Sequence, residues 1–199
     1  MADLEYTKNW TRHYGRTINA CLKHLKGQPL TYLEIGIFEG RSMRTMLETV
    51  LTHEDCKAWG LDPWTIEAMN RGRYPDNKRG WDRIGEVERK ARHNLEGFED
   101  KLTLIKDKSQ HYLADEPFAN EFFDIIYVDG IHKVYGCLQD IVLTWPLLKV
   151  GGYCVWDDYS KRCGVPIVVD RFLEMIPGEY EVVHKGAQLA VKKLKPIDW

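Results

Sequence analysis

Two apolar runs in this chain end in acids: Tyr127-Val128-Asp129-Gly130 closes one, and Val155-Trp156-Asp157-Asp158-Tyr159 closes the other. If both are strands of one sheet, three carboxylates reach the same sheet edge, with His132 three residues past Asp129. Carboxylate oxygens are hard donors that suit Mg²⁺, and imidazole is the side chain best placed to take a proton near neutral pH. The pattern points to a metal site with an adjacent base, in which Asp129, Asp157 and Asp158 are the ligands and His132 is the base. Neighbouring carboxylates repel one another unless a cation or a proton intervenes. The plainer alternatives are a strand-end turn for Asp129, a solvated pair for Asp157 and Asp158, and a helix-opening polar residue for His132.

A second constellation lies upstream. Tyr32-Leu33-Glu34-Ile35-Gly36-Ile37-Phe38-Glu39-Gly40-Arg41-Ser42 reads as a strand, a glycine turn and a helix start. Gly36 and Gly40 would let the backbone approach a ligand closely, and Ser42 is the expected helix N-cap. Asp62, 22 residues after Gly40, ends the next strand-like run, where a carboxylate can accept ribose hydroxyls. It reads equally well as a turn aspartate before Pro63. A dinucleotide would need its pyrophosphate at a G-x-G-x-x-G turn, which is absent, and Glu39 would repel it. S-adenosylmethionine has no phosphate and carries an ammonium and a sulfonium, so acids at Glu34 and Asp129 are compatible with it. Asp107-Lys108-Ser109 could then contact adenine.

The elements that must position these groups alternate in period. Helical stripes run through Trp10, Tyr14, Ile18 and Leu22, stopping at Gly27 and Pro29, and through Met43, Met46, Leu47 and Val50. Others run through Ile84, Val87, Ala91 and Leu95, through Leu138, Ile141, Val142 and Trp145, and through Val168, Phe172 and Leu173. Strand-like runs fall at Leu30–Ile37, Ala58–Leu61, Leu102–Ile105, Phe122–Val128 and Tyr153–Trp156, with Lys149-Val150-Gly151-Gly152 read as a turn. Tyr180–Val183 and Leu189–Val191 flank a hairpin turn at Lys185-Gly186. This alternation predicts a Rossmann-like α/β fold, a doubly wound and mainly parallel sheet with an antiparallel C-terminal hairpin, and places ligands beyond the carboxyl ends of the strands. Trp64 to Trp81 has no period. Its Arg71, Arg73, Tyr74, Lys78 and Arg79 suit either a substrate lid or a solvated insertion.

The chain's 199 residues suit one domain with a helical N-terminal segment over 1–29. Its 28 basic and 30 acidic residues give a net charge of −2, which offers no global attraction for nucleic acid or a membrane surface. No apolar run nears the roughly 18 residues that span a bilayer, and Met1–Glu5 does not look like a secretory signal. A cytoplasmic protein is expected. The five cysteines are scattered without a C-x-x-C, against a disulfide framework or structural zinc.

Glu34 to Ser42, Gly60-Leu61-Asp62-Pro63-Trp64, Asp129-Gly130-Ile131-His132, Leu147 to Gly152 and Asp157-Asp158-Tyr159 together closely resemble the class I S-adenosylmethionine-dependent methyltransferases. The similarity is greatest to the branch with the cephalosporin-biosynthesis protein and the macrolide sugar O-methyltransferases, in the same order from Leu30 to Phe172. It implies a seven-stranded sheet with the last strand antiparallel, S-adenosylmethionine as cofactor, Mg²⁺ held by Asp129, Asp157 and Asp158, and a base at His132. It also implies a small-molecule hydroxyl acceptor, with a sugar or glycosylated metabolite preferred. The third-strand turn departs from the branch's Gly-Asp-Ser, so an adenine contact carries over to Ser109 alone. Still open are a metal-independent methyltransferase acting on nitrogen or carbon, a non-catalytic cofactor-binding interaction subunit, and a homo-oligomer of either. A nucleotide-dependent oxidoreductase is disfavoured by the missing glycine pattern.

Overall fold

Tyr32 and Leu33 point to opposite faces of a sheet, and each meets its own hydrophobic core. A strand buried on both faces needs apolar residues at nearly every position, which is why the runs through Ile35 and Val128 lack an alternating pattern. The computed structural model describes residues 3–7, 13–65, 84–115, 118–160 and 164–197.

Seven strands form one sheet: β1 (Thr31–Ile35), β2 (Lys57–Leu61), β3 (Leu102–Ile105), β4 (Phe123–Val128), β5 (Leu148–Trp156), β6 (Tyr180–Lys185) and β7 (Leu189–Lys193). Their order is β3-β2-β1-β4-β5-β7-β6. The first five strands pair in parallel, and β7 runs antiparallel between β5 and β6. Strand order reverses between β1 and β4, the place where open α/β sheets hold their ligands.

The helices sort by face. On one side α1 (Tyr14–Thr17), α2 (Arg41–Thr49) and α3 (Ile84–Asn94) bury Tyr14, Met43, Met46, Val87 and Ala91 against Tyr32, Ile125 and Tyr127. On the other, α4 (Ser109–Asp115), α5 (Val134–Thr144) and α6 (Val165–Met175) bury Leu113, Cys137, Ile141, Val169 and Phe172 against Leu33, Ile126 and Trp156. Cys137 and Cys154 are buried in the core and form no disulfide.

Two local expectations change. The N-terminal helix is one α turn that continues as a π turn (Ile18–Leu22) and a 3₁₀ turn (Lys23–Leu25) before Gly27, whose φ is +82°. Lys149 to Gly152 is part of β5 and not a turn; a register shift opposite Phe123 and Ile125 and the φ of +85° at Gly151 take up the irregularity. The C-terminal hairpin forms as expected: β7, the last strand, pairs antiparallel with both β5 and β6, and β6 takes the sheet edge. Trp64, which opens the segment read as either a lid or a solvated insertion, is 2 % exposed and donates from its indole to the Phe38 carbonyl. The remaining lid residues named above lie outside the described residues. No helix among the described residues is long and apolar enough to cross a membrane.

Candidate functional site

At the switch point β1 and β4 are drawn so close that a side chain would not fit between them. The Asp129 amide donates to the Ile35 carbonyl at 2.8 Å, and a Cβ on Gly36 would lie 2.1 Å from the Asp129 carbonyl oxygen. Gly36 also has a φ of +89°, so glycine is required there by both sterics and backbone. Gly40 is the N-cap of α2 at φ +82°, and a Cβ there would press on Leu95 at 2.9 Å. It lines neither of the cavities described below. Ser42 is consequently the second helical residue and not the N-cap, and its hydroxyl donates inward to Glu34.

Glu34 lies beneath this turn and not at the cavity wall. It is fully buried, with one oxygen taken by Ser42 and the other by the Tyr32 hydroxyl at 2.6 Å. Burial, and to a lesser extent the charges of Asp129 and Asp157, push its carboxyl up to about 8, against the lowering by its two hydrogen bonds. The folded pKa lies above the ordinary value of 4.5. Stability tied to protonated Glu34 is therefore complete at acidic pH and lost as pH rises through about 8. Glu34→Gln, which mimics the protonated form, is expected to flatten this dependence by on the order of 2 kcal/mol between pH 5 and 8.5. Denaturant unfolding at both pH values checks it; parallel curves for the two proteins would contradict it.

Asp62 closes the glycine turn by accepting from the amides of Ile37 (3.0 Å), Phe38 (2.9 Å) and Trp64 (2.7 Å). Asp62 lines a cavity of about 640 Å³ together with Gly36, Ser109, Gln110, Asp129 and Gly130. A hollow of about 30 Å³ adjoins it, lined by Tyr6, Glu39, Arg41, Ser42, Tyr127 and Asp157, and Gly36 and Asp129 border both spaces. Residues 3–7 strap over this hollow. Thr7 donates from its amide and hydroxyl to Glu39, each at 2.7 Å, and the Arg41 guanidinium lies 4.0 Å from the centre of the Tyr6 ring.

The strand-end acids are brought together, with a rearrangement. His132 stands between Asp129 and Asp158, its Nε2 3.2 Å from Asp129 Oδ1 and its Nδ1 3.0 Å from Asp158 Oδ2. Ligand atoms of these three residues all lie within 4.8 Å of one another. Asp158 holds a φ of +49°, a strained conformation of the kind that clusters at working sites. Asp157 turns instead to the side-chain amide of Gln188 at 3.1 Å. Burial first, then the charge of Asp129, pushes the Asp157 carboxyl up to about 7. Asp157 thus stands apart from the group formed by Asp129, His132 and Asp158, held by Gln188 in the β6–β7 connection.

Gln188 and Asp140 were missed from sequence. Gln188 joins Asp157, Tyr127 and Thr17 through its two polar ends, a link across 171 positions that no local spacing reveals. Asp140 had a signal. It falls between Cys137 and Thr144 on the buried face of α5, where an acid is out of place.

The chain matches the Methyltransf_24 family, described as a methyltransferase domain, over residues 33–159. It is 27% identical over 149 residues to an uncharacterized protein of Acanthamoeba polyphaga mimivirus, covering 70% of this chain and 56% of that protein. The chain therefore spans about half the length of this curated relative. Among solved structures it resembles the O-methyltransferase NovP, with a TM-score of 0.64 and 20% identity over 90% of this chain and 79% of that one. It also resembles the SAH-bound Podospora anserina methyltransferase PaMTH1, with a TM-score of 0.57 and 16% identity over 84% and 73% of the two chains. At such identities these two show the fold. With the family matched from β1 through the strand-end acids, the chain belongs to the class I S-adenosylmethionine-dependent methyltransferases.

Proposed function

We propose that the chain transfers the methyl group of S-adenosylmethionine to a hydroxyl of a small molecule, a sugar or glycosylated metabolite, with a divalent cation, Mg²⁺, assisting. The observation that carries this reading is the Asp129–His132–Asp158 cluster at the carboxyl ends of β4 and β5, beside a cavity of nucleoside size. The nucleoside would fill the larger space against Asp62 and Ser109. The sulfonium end would reach Asp129, where the two spaces meet, and the aminoacyl end would lie under the Tyr6 strap. The carboxylate oxygens of Asp129 and Asp158 fit Mg²⁺ as hard donors, leaving positions for water and acceptor oxygens. When bound, the cation would lower the pKa of the acceptor hydroxyl. His132 would take the hydroxyl proton on a ring nitrogen, and the flanking carboxylates would accept hydrogen bonds from the charged ring. The protein's remaining task is to hold the oxygen in line with the methyl and keep water out.

A second reading, metal-independent transfer to nitrogen or carbon, has one observation in its favour. His132 bridges both acids by itself. Melting curves and a methylation assay separate the readings. S-adenosylhomocysteine at 100 times its Kd is expected to raise the melting temperature by roughly 5–10 °C, and NAD to leave it unchanged. Methyl transfer to hydroxylated glycosides should stop on chelation and return with Mg²⁺. Stabilisation by NAD alone would overturn the cofactor assignment, and transfer to amines under chelation would favour the second reading.

A further inference from the structure

Asp140 is 1 % exposed on the inward face of α5, and its two oxygens have different surroundings. Oδ1 accepts from the Ser109 hydroxyl at 2.6 Å and from the Gln110 side-chain amide at 3.2 Å. Oδ2 is buried with no hydrogen-bond partner. It faces Gly130, where a Cβ would come within 2.7 Å of it. Ser109, Gln110 and Gly130 all line the 640 Å³ cavity. Burial pushes the Asp140 carboxyl up to about 6, against the lowering by Ser109. A buried carboxylate with one bare oxygen is a poor packing element, and an apolar side chain of similar shape would be the more stable occupant. Packing between α4 and α5 does not account for an acid at this position.

We propose that Asp140 is a positioning residue that fixes the polarity of the Ser109–Gln110 edge, so that the cavity takes a 6-aminopurine and rejects a 6-oxopurine. The inference rests on the cavity's being the cofactor site. A serine hydroxyl has one proton, and once it is given to Asp140 the oxygen can only accept from a ligand. Gln110 spends one amide hydrogen on Asp140 and keeps the other, together with its carbonyl. A 6-aminopurine presents an amino donor beside the N1 acceptor, which matches an accepting Ser109 and a donating Gln110. A 6-oxopurine presents the reverse, setting its carbonyl oxygen against the lone pairs of Ser109 and leaving both unpaired. Sites built around a directed hydrogen bond reject the mismatched analogue far better than apolar pockets reject a change of size.

Calorimetric titration with S-adenosylhomocysteine and S-inosylhomocysteine tests this in the full chain. Wild type should favour the adenosyl compound by about 10- to 100-fold, the scale of one unpaired buried group. Asp140→Leu should reduce the ratio below about 3-fold, because Ser109 can then rotate to donate, with a melting temperature equal to or above wild type. Asp140→Asn, whose amide oxygen can replace Oδ1, should keep most of the ratio. A wild-type ratio retained in folded Asp140→Leu, or lost as fully in Asp140→Asn, overturns the proposal. If Asp140→Leu does not fold, Ser109→Ala carries the test and must collapse the same ratio. Wild type that binds neither compound would fail the cofactor reading itself, whereas equal binding of both overturns only the role of Asp140.

Discussion

Replacing His132 by Ala is expected to lower methyl transfer by about 10²- to 10⁴-fold while S-adenosylhomocysteine affinity stays within a few-fold of wild type. The imidazole of His132 contacts both acids, Nε2 facing Asp129 and Nδ1 facing Asp158. Its carbonyl separately accepts from the Gly164 amide at 3.2 Å, so the loop keeps its anchor to the start of α6 when the ring is removed. His132 also lines neither cavity. Single-turnover rates at saturating cofactor give the size of the loss directly. A fall of less than 10-fold would assign the proton to another group or to water.

The three aspartates are expected to fail in three different ways. Asp158 is half-exposed and borders neither cavity, so Asp158→Ala should cost cation affinity and most activity while sparing the cofactor. The loss in cation affinity should exceed the 10- to 100-fold that removing an outer partner of a metal site costs. Asp129 borders both cavities and touches His132, so Asp129→Ala should lose cation and cofactor together. Asp157 is committed to Gln188, and Asp157→Asn should hold cation affinity within a few-fold. Titrating each variant with Mg²⁺ and with S-adenosylhomocysteine checks the set. Equal cation loss in the Asp157 and Asp158 variants would restore the set of three aspartates read from the sequence.

Much of the frame was legible because burial on both faces writes itself as apolar runs, as at Ile125–Val128. The acids that end those runs were legible for the same reason, since polarity returns where the strand leaves the core. What the side chains of those acids do was not. Asp157 and Asp158 are neighbours in sequence, yet one meets Gln188, some 30 positions away, and the other His132. Helix α4 was hidden because its seven residues are too few to show a period and bury only Ser109 and Leu113. Residues 149–152 looked like a turn because their two glycines lie inside a strand, where a register shift absorbs them. Ser42 has the composition of a cap, but Gly40 already occupies that position in a left-handed conformation open to glycine. Local chemistry named the candidate residues, and long-range contacts assigned their partners.

The central claim is that the strand-end cluster works through a divalent cation on a hydroxyl acceptor. Its most direct test is the rate of methyl transfer from S-adenosylmethionine to a hydroxylated acceptor after exhaustive chelation, followed by readdition of Mg²⁺. The account predicts that activity falls to background without the cation and returns with it in wild type, and does not return in Asp158→Ala. Full activity that survives chelation would contradict it and leave His132, bridged by its two carboxylates, to act alone.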